Sequence, residues 1–507
     1  MSKVGDLMQG FFMSSPKRMS WFLTSFPPKV IEKIGKKSAF SLVKEASEKI
    51  PAYKEFLSIN KIKIDEIKNF EDIPVTTKSQ YLKKFPLEKI LLEPITEMDI
   101  IYRSSGNTGT PFWWPQLSSK DKTMPQYFDL YYNYLVNFDK YSTLVVNVLD
   151  MGVWVAGMTV ASNLQRVSLA KNYKLTVMSP GSNIESALEI INRFGKLYDQ
   201  VMIIGYPPFV ECLILEGKKK GLDWKKLNVK VQIGGESFSE RWRDKVIEEL
   251  GVKDSDLLAV TSIFGSSDTG SGMTGFETAA SILIKRLAVK DSKIRKKLFG
   301  DDRLPSLVQF VPMSSYVEEV NGNIVLTSRS GIPLLRYDIE DRGGVIPYEK
   351  MKEILSEFGH NLEELLKEYN QNVIWRLPFF YCFGRRNAVS IEGAHIYAED
   401  IQTIIAEKEL GDINNFKLTI KEFDDHAMHF TILLELKKDI KWGKEKIEEF
   451  KAKTQSIFRS GLIDISGDYK SAHKNNPKVC DPAIEIYHFA EGPFEADAGL
   501  AKQKHII

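Results

Sequence analysis

The chain has 507 residues, of which 43% are apolar, so it can bury two or more cores of ordinary size. Its 69 Lys and Arg residues nearly balance its 67 Asp and Glu residues, which leaves no excess charge to recruit nucleic acid or an anionic membrane. No apolar run reaches the length of a signal peptide or a membrane span, so we expect a cytoplasmic protein that acts on a small molecule.

The chain between residues 142 and 264 alternates short β-branched runs with amphipathic ones. The QVMIIG run is solidly apolar, as in a strand that is covered on both faces. The pattern therefore predicts an α/β sheet buried between helices. The predicted strands are STLVVNVL, KLTVM, QVMIIG, VKVQIGG and LLAVTSIFG, and the predicted helices are IESALEIINRFGKLY, PPFVECLILEGKKKG and ERWRDKVIEELG.

The residues between 305 and 345 are typical of β-strands, with predicted turns at 321–323 and 331–333. Two amphipathic helices, MKEILSEF and NLEELLKEYN, then follow. We interpret this as a β-rich subdomain followed by a helical insertion over about 348–372. Packing is the favoured role for the insertion, with a dimer contact or a carrier-domain dock as alternatives.

The sequence after Gly384 predicts a separate small α+β domain. It has a helix near 397–408, two strands in FKLTIKEF and MHFTILLEL, and a helix near 442–458. The expected fold class is α/β. A large N-terminal domain, residues 1–386, has sheets covered by helices and the β-rich subdomain, and a small mobile C-terminal lid spans residues 387–507.

The segment YRSSGNTGTPFWWPQ at 102–116 packs glycines and hydroxyl residues into a few positions. Glycines let successive backbone N–H groups converge, and hydroxyl groups add donors, so such a loop suits phosphate oxygens. It lacks the terminal Gly-Lys-Ser/Thr of a Walker loop. The alternative for this loop alone is a polar turn between strands. Its hydroxyl donors are Ser104, Ser105, Thr108 and Thr110.

This loop and further segments in the same order resemble the adenylate-forming (acyl-CoA synthetase-like, ANL) superfamily, specifically its phenylacetate–CoA ligase-like branch. AFSLVKEASEKIPAYKEFL and FEDIPVTTKSQYLKKFP look like the opening of that branch, and the resemblance covers nearly the whole chain. The other matching segments are IGGESFSERWRD at 233–244, IFGSSDTGSG at 263–272, GNIVLTSRSGIPLLRYDIEDRGG at 322–344 and FGRRNAVSIEGAHIYAEDIQTII at 383–405.

The resemblance implies an ATP site built from all of these segments. Phe264 would stack on the adenine, and Asp341 would accept hydrogen bonds from both ribose hydroxyls. Without the family, 233–244 is a strand end with Ser237 or Ser239 capping a helix, and Asp341 belongs to a charged loop. The implied nucleotide-binding residues are Ser104, Ser105, Gly106, Thr108, Gly109, Gly235, Glu236, Phe264, Ser267, Tyr337, Asp341 and Arg385.

The resemblance also implies two catalytic residues and a hinge. Asp268 would take the place of the acidic Mg²⁺ ligand, one methylene shorter than the usual Glu, and the ion would neutralise charge on the leaving pyrophosphate. The tail GLAKQKHII departs from the family's GKxKR pattern, so Lys502, with Lys504 as the alternative, would supply the C-terminal lysine. The hinge would lie at Asn387, where the family usually has Asp or Lys.

The acyl pocket is weakly encoded, because apolar and small residues also build the core. The resemblance places Trp154, Tyr206, Gly234 and Ile263 along it. An aromatic acid is the leading substrate because Trp154 and Tyr206 could face an aromatic ring, although aromatic residues in such a region more often belong simply to the core.

The expected function is ATP-dependent activation of a carboxylic acid to an acyl-adenylate, with release of pyrophosphate and transfer to CoA or to the phosphopantetheine of a carrier protein. One alternative is an adenylating ligase with an amine acceptor or an AMP-retaining product. Another is a non-catalytic nucleotide-binding homologue, motivated by Asp268, Asn387 and Leu500 at positions where stronger residues are expected. A homodimer is left open, and neither nucleic acid nor a membrane is an expected partner.

Overall fold

The computed structural model describes most of the chain, in two compact units. The described residues are 15–103, 112–117, 124–253, 256–269, 273–301, 303–385, 388–392, 394–408, 410–422 and 428–497. Within them, the larger unit comprises 15–103, 113–205 and 210–383, and the smaller one comprises 206–209 and 384–497. No described helix has the length and apolar character needed to cross a bilayer.

The helices before residue 384 mostly carry one apolar stripe each. The first three begin at Pro16, Pro28 and Pro51, where a missing N–H costs no intrahelical bond. The helices are α1 (Pro16–Ser25), α2 (Pro28–Lys49), α3 (Pro51–Ile59), α4 (Leu87–Ile90), α5 (Met124–Val136), α6 (Val155–Lys171), α7 (Ile184–Phe194), α8 (Pro207–Lys219), α9 (Glu240–Leu250), α10 (Ala279–Lys290), α11 (Ser292–Phe299), α12 (Tyr348–Glu357) and α13 (Leu362–Glu368).

A long mixed sheet forms the centre of the larger unit, and a separate hairpin pairs β1 (Ile100–Arg103) with β2 (Trp113–Gln116). The strand order in the long sheet is β10-β11-β12-β13-β9-β8-β7-β6-β5-β3-β4. Its strands are β3 (Thr143–Asn147), β4 (Leu175–Met178), β5 (Gln200–Gly205), β6 (Val229–Ile233), β7 (Val260–Phe264), β8 (Gly275–Phe276), β9 (Ser306–Gln309), β10 (Ser315–Val320), β11 (Asn323–Ser328), β12 (Leu334–Ile346) and β13 (Phe379–Arg385).

Strands β4, β3, β5, β6 and β7 are parallel, and β8 then pairs antiparallel with β7. Every residue of β3 and of β5 is buried, which confirms the expectation of a sheet covered on both faces. The predicted elements between residues 142 and 264 are all confirmed. Because the strands are parallel, their carboxyl ends meet at one edge of the sheet.

The helical insertion is present as α12 and α13. Tyr348, Met351 and Leu355 on α12 are fully buried, and Tyr348 stacks on Phe379 of β13 with ring centroids 6.3 Å apart. The inner faces of these helices therefore contribute to the core of the larger unit.

The smaller unit has its own core and the predicted α+β composition. Strands β16 and β17 are antiparallel and β18 is parallel to β17, with a hairpin of β14 and β15 beside them in sequence. The predicted helix near 442–458 extends to Ile465, because Phe450, Thr454, Phe458 and Leu462 continue its buried stripe. The elements are β14 (Ala388–Ile391), β15 (Ala394–Tyr397), α14 (Ala398–Glu407), β16 (Ile413–Glu422), β17 (Met428–Leu436), α15 (Lys444–Ile465), α16 (Gly467–Asn475), α17 (Pro477–Cys480) and β18 (Ala483–Tyr487).

A buried cluster of four charged side chains lies where the long sheet changes from parallel to antiparallel. Arg243 of α9 donates to both oxygens of Glu240, each at 3.0 Å, and to Glu277 Oε1 at 2.8 Å. Lys285 of α10 lies 2.9 Å from Glu240 and 3.2 Å from Glu277. All four side chains are at most 6% exposed. The charges cancel, so the cluster can be buried without an uncompensated ion.

The cluster also binds the backbone of β7. Glu277 Oε2 accepts from the N–H of Ser262 at 2.8 Å, and Arg243 donates to the carbonyl of Val260. Burial by itself would raise the pKa of Glu240, but attraction to Arg243 and Lys285 outweighs burial and lowers it to about 2. Glu240 therefore stays ionised at neutral pH.

Replacing Arg243 with methionine should destabilise the protein by about 3–5 kcal/mol at pH 7, because two buried carboxylates would share one lysine. The free energy of unfolding, from urea titration, measures this. The folded pKa of Glu240 is depressed, so the cluster stabilises above the unfolded pKa and loses this contribution as pH falls toward 2. The difference between parent and variant should therefore shrink below the usual glutamate pKa.

The matched control is Arg286→Met, because Arg286 lies 3.8 Å from Glu240 but is 26% exposed at its side chain. It should cost no more than about 1 kcal/mol. Equal losses in the two variants would contradict a stabilising role for the buried cluster.

Candidate active site

The described site residues of the larger unit come mostly from the carboxyl edge of its parallel strands. Gly234, Gly235 and Glu236 follow β6, and Phe264 ends β7 and is followed by Ser267 and Asp268. In open α/β sheets, this edge is where ligands bind. The segments after β6 and after β7, which the sequence analysis singled out, therefore lie at the same edge of the sheet.

The segment after β6 is fixed by its own backbone. Gly234 N–H donates to Gly205 O at 3.1 Å, and Gly235 has a left-handed φ of +80°, which side chains with a Cβ rarely adopt. Ser239 Oγ accepts from Trp242 N–H at 3.1 Å and caps α9. Of the two serines proposed for the cap, Ser239 is the one that forms it. The capping interpretation is thus confirmed, and it leaves Gly235 and Glu236 exposed or half-buried before the helix.

Asp268 and Tyr337 form the central polar contact. The Tyr337 hydroxyl donates to Asp268 Oδ2 at 2.8 Å, with the two residues 2% and 4% exposed, respectively. Phe264 is half-buried and meets Phe380 edge to face, with centroids 5.0 Å apart. The predicted magnesium ligand and the predicted ribose neighbour are therefore direct partners.

Strand β12 is irregular around Tyr337. Its pairing with β11 shifts register twice, and Arg336 and Glu340 have left-handed φ values of +47° and +65°. Bulges of this kind redirect side chains and are frequent beside active sites. Both carboxylate oxygens of Asp338 accept hydrogen bonds from nearby residues, one from Asn323 Nδ2 at 2.8 Å and the other from Glu340 N–H at 2.7 Å. Asp341, three residues further along β12, is half-exposed.

The strands that flank the proposed phosphate loop are in place. Arg103 of β1 pairs with Trp113 of β2, and Arg103 N–H donates to Val153 O at 2.9 Å. Several predicted residues lie outside the described residues, namely Ser104, Ser105, Gly106, Thr108, Gly109, Asn387, Lys502 and Lys504. Arg385 ends β13, and its side chain likewise lies outside the described part.

The proposed pocket residues lie in or directly after the parallel strands and, for Trp154, at the start of α6. Trp154 is half-buried and directly precedes α6, and Ile263 is 8% exposed in β7. A Cβ added at Gly234 would meet the Ile263 side chain at 3.5 Å, so these two residues are neighbours. Tyr206 follows β5 and is half-buried.

Three side chains that support the site were not singled out from the sequence. Glu277 holds β7, while Thr76 and Arg336 hold β12. Thr76 and Arg336 both lie in segments that resemble the superfamily, FEDIPVTTK and GNIVLTSRSGIPLLRYDIEDRGG, although neither residue was given a role there. Glu277 lies outside the matching segments and looks like an ordinary charged surface residue in the sequence.

The described residues fit a magnesium ion held mainly by its nucleotide. No group of three or more His, Cys, Asp or Glu side chains that could hold a metal occurs within the described part of the chain. Mg²⁺ in nucleotide sites typically takes one or two carboxylates, with phosphate oxygens and water completing its octahedron. Asp268, a buried carboxylate four residues after the end of β7, would supply that kind of single ligand.

Comparison with solved structures shows which class of protein shares this fold. The similar structures are those of a CoA ligase that was crystallised with an acyl-AMP compound. The α/β fold class expected from the sequence, with a large sheet and covering helices, is thereby confirmed. No protein-family model and no curated protein matches the sequence.

The enzyme in these similar structures is 2-hydroxyisobutyryl-CoA ligase. Its complex with 2-HIB-AMP and CoA in the thioesterification state matches with a TM-score of 0.60 and 14% identity, over 96% of this chain and 91% of that chain. Its postadenylation complex with 2-HIB-AMP matches with a TM-score of 0.54 and 14% identity, with the same coverage. Its open conformation matches with a TM-score of 0.54 and 13% identity, over 94% and 91%. At this identity the likeness establishes the fold.

Breaking the Tyr337–Asp268 contact should destabilise the protein measurably. Tyr337→Phe removes one hydrogen bond to a buried carboxylate, so we expect a loss of about 1–3 kcal/mol in the free energy of unfolding. Asp268→Asn should cost a similar amount, and the double variant should cost less than the sum. Urea unfolding of all four proteins tests this. Strict additivity would mean that the two side chains do not interact.

Proposed function

We propose that the chain is an adenylate-forming ligase that activates a carboxylic acid with ATP and transfers the acyl group to a thiol. The observation that carries the proposal is the buried Asp268–Tyr337 pair at the carboxyl edge of the sheet, within the two motifs that resemble the ANL superfamily. The shared fold of 2-hydroxyisobutyryl-CoA ligase over nearly the whole chain supports it. The phenylacetate–CoA ligase-like branch is proposed on the sequence motifs.

In the first step, a carboxylate oxygen of the substrate attacks the α-phosphorus of ATP. A new oxygen–phosphorus bond forms, and the bond from the α-phosphorus to the bridging oxygen breaks, so pyrophosphate leaves with the electron pair. Asp268 would hold Mg²⁺, which supplies charge neutralisation for the phosphates. Phe264 would orient the adenine and Asp341 the ribose, so that most of the rate comes from positioning.

In the second step, a thiol sulfur attacks the acyl carbonyl carbon and AMP leaves with the former carboxylate oxygen, while the thiol proton is released. We propose CoA as the acceptor, with a carrier-protein phosphopantetheine as the alternative. Trp154 before α6 and Ile263 in β7 would contact the acyl group, and an aromatic acid is the favoured substrate. Lys502 would meet the carboxylate and the α-phosphate in the first step.

Acid-dependent exchange of radiolabelled pyrophosphate into ATP should occur with one class of acid when aryl, short-chain and long-chain acids are compared. Asp341→Ala should lower kcat/KM for ATP at least a hundredfold, because its two ribose hydrogen bonds are lost. Lys502→Ala should lower kcat for exchange, whereas Lys504→Ala, its matched control two residues away, should have little effect.

Release of AMP only when CoA is added would identify the thiol as the acceptor, and release with an amine would identify the alternative ligase. ATP binding by calorimetry without exchange for any acid would refute the enzyme proposal and leave a non-catalytic nucleotide-binding protein.

A further inference from the structure

Residues 70–77 form a fixed segment against β12, which we call the brace. Thr76 N–H donates to Arg336 O at 2.9 Å, and Asp338 N–H donates to Thr76 O at 2.9 Å. Thr76 is 1% exposed, and its Oγ1 donates to Leu335 O at 3.0 Å. The brace therefore bonds to the backbone of β12 on both sides of Tyr337, as one residue of a parallel ladder.

Arg336 secures the brace from the other direction. Its guanidinium donates to the carbonyls of Glu71, at 2.6 Å, and Ile73. It also forms a two-pronged ion pair with Glu318, at 3.1 and 3.2 Å, and lies 5.6 Å from the ring centroid of Phe70. Arg336 is 4% exposed, so these bonds are shielded from water.

These contacts explain how a strained backbone persists in the middle of a strand. Arg336 has a Cβ, so its left-handed φ of +47° costs about 1–3 kcal/mol. Such a conformation persists only where contacts with the surrounding structure impose it. The brace imposes it by binding the N–H and carbonyl groups on either side. The resulting bulge directs the Tyr337 hydroxyl to Asp268, 2.8 Å away.

We propose that Thr76 and Arg336 are positioning residues for adenylation, and that they act through the Tyr337 hydroxyl on the Asp268 carboxylate. The inference rests on the proposed function and deepens it. The FEDIPVTTK segment is thereby assigned a role in the site that it exerts through its hydrogen bonds to the backbone of β12.

The test uses three conservative threonine variants of the full chain. Thr76→Val removes only the Oγ1 bond to Leu335, and Thr76→Ser keeps a hydroxyl donor. Thr77→Val is the matched control, because Thr77 Oγ1 accepts from Gln80 N–H at 3.1 Å and caps the π-helical turn Lys78–Leu82, so its hydroxyl bonds within its own turn and not to the backbone of β12. Pyrophosphate exchange is measured as a function of Mg²⁺ and ATP concentration.

Thr76→Val should lower kcat roughly ten- to a hundredfold and raise the half-saturating Mg²⁺ concentration, with a smaller change in KM for the acid. Thr76→Ser should restore most of the rate, and Thr77→Val should match the parent in its Mg²⁺ dependence. In the Tyr337→Phe background, Thr76→Val should add little, because the group through which it acts is gone. The same rate factor in both backgrounds, or no effect of Thr76→Val, would overturn the proposal.

A second readout separates this proposal from the proposed function. The amide of Asp338 should exchange with deuterium roughly tenfold or more faster in Arg336→Met than in the parent, while the amide of Val146 in β3 should be unchanged. If the parent showed no pyrophosphate exchange with any acid, the proposed function would fail, while this measurement would still decide whether Arg336 holds β12. An unchanged rate of deuterium exchange at the Asp338 amide would show that Arg336 does not hold β12.

Discussion

The reversal of strand direction between β7 and β8 depends on the buried cluster of Glu240, Arg243, Glu277 and Lys285. Taking four charges out of water is costly, and the cost is offset only when every charge has close partners of opposite sign. Here α9, α10 and the segment after β8 must all be in place to provide those partners. The cluster thus specifies one arrangement of these elements, and that arrangement sets where the end of β7 lies.

The second constraint acts on β12. A regular strand would alternate its side chains between the two faces without interruption, whereas two bulges place Tyr337 and Asp338 out of that simple alternation. The strained backbone is held by hydrogen bonds from a distant segment of the chain. Thr76, which donates to Leu335 O, precedes Leu335 by 259 residues. Two independent parts of the molecule, one holding β7 and one holding β12, therefore converge on a single hydrogen bond between Tyr337 and Asp268.

Local patterns in the sequence were sufficient for most of the fold. Apolar runs such as QVMIIG and stripes such as that of α7 identify a strand or a helix from neighbouring residues alone, and these predictions held. Helix α15 was placed correctly but ended too early, because its buried stripe continues past Phe458 to Gly461 and Leu462. The division of the chain at residue 386 stays a prediction.

The supporting residues of the site could not have been found in the same way. The charged residues of the cluster lie in amphipathic segments, where a charged side chain is expected to face solvent. Only the tertiary contacts show that Arg243, Lys285 and Glu277 are buried. Arg336 likewise has no local signal for a left-handed backbone. The motifs identified Asp268 and Tyr337 separately, by resemblance, and the structure added that they are bonded to each other.

The Tyr337 bond bears on the shorter carboxylate at position 268. An aspartate has one fewer rotatable bond than the glutamate usual in the ANL superfamily, which the motif resembles, and Asp268 is further restricted by burial and by its hydrogen bond to Tyr337. A carboxylate held this way cannot follow a ligand over a wide range, but it loses little conformational entropy when the ligand arrives. The site thus favours a fixed geometry over adaptability. Fixed dipoles and charges of this kind need no reorganisation as charge develops on the leaving group, which is how such sites contribute most to rate.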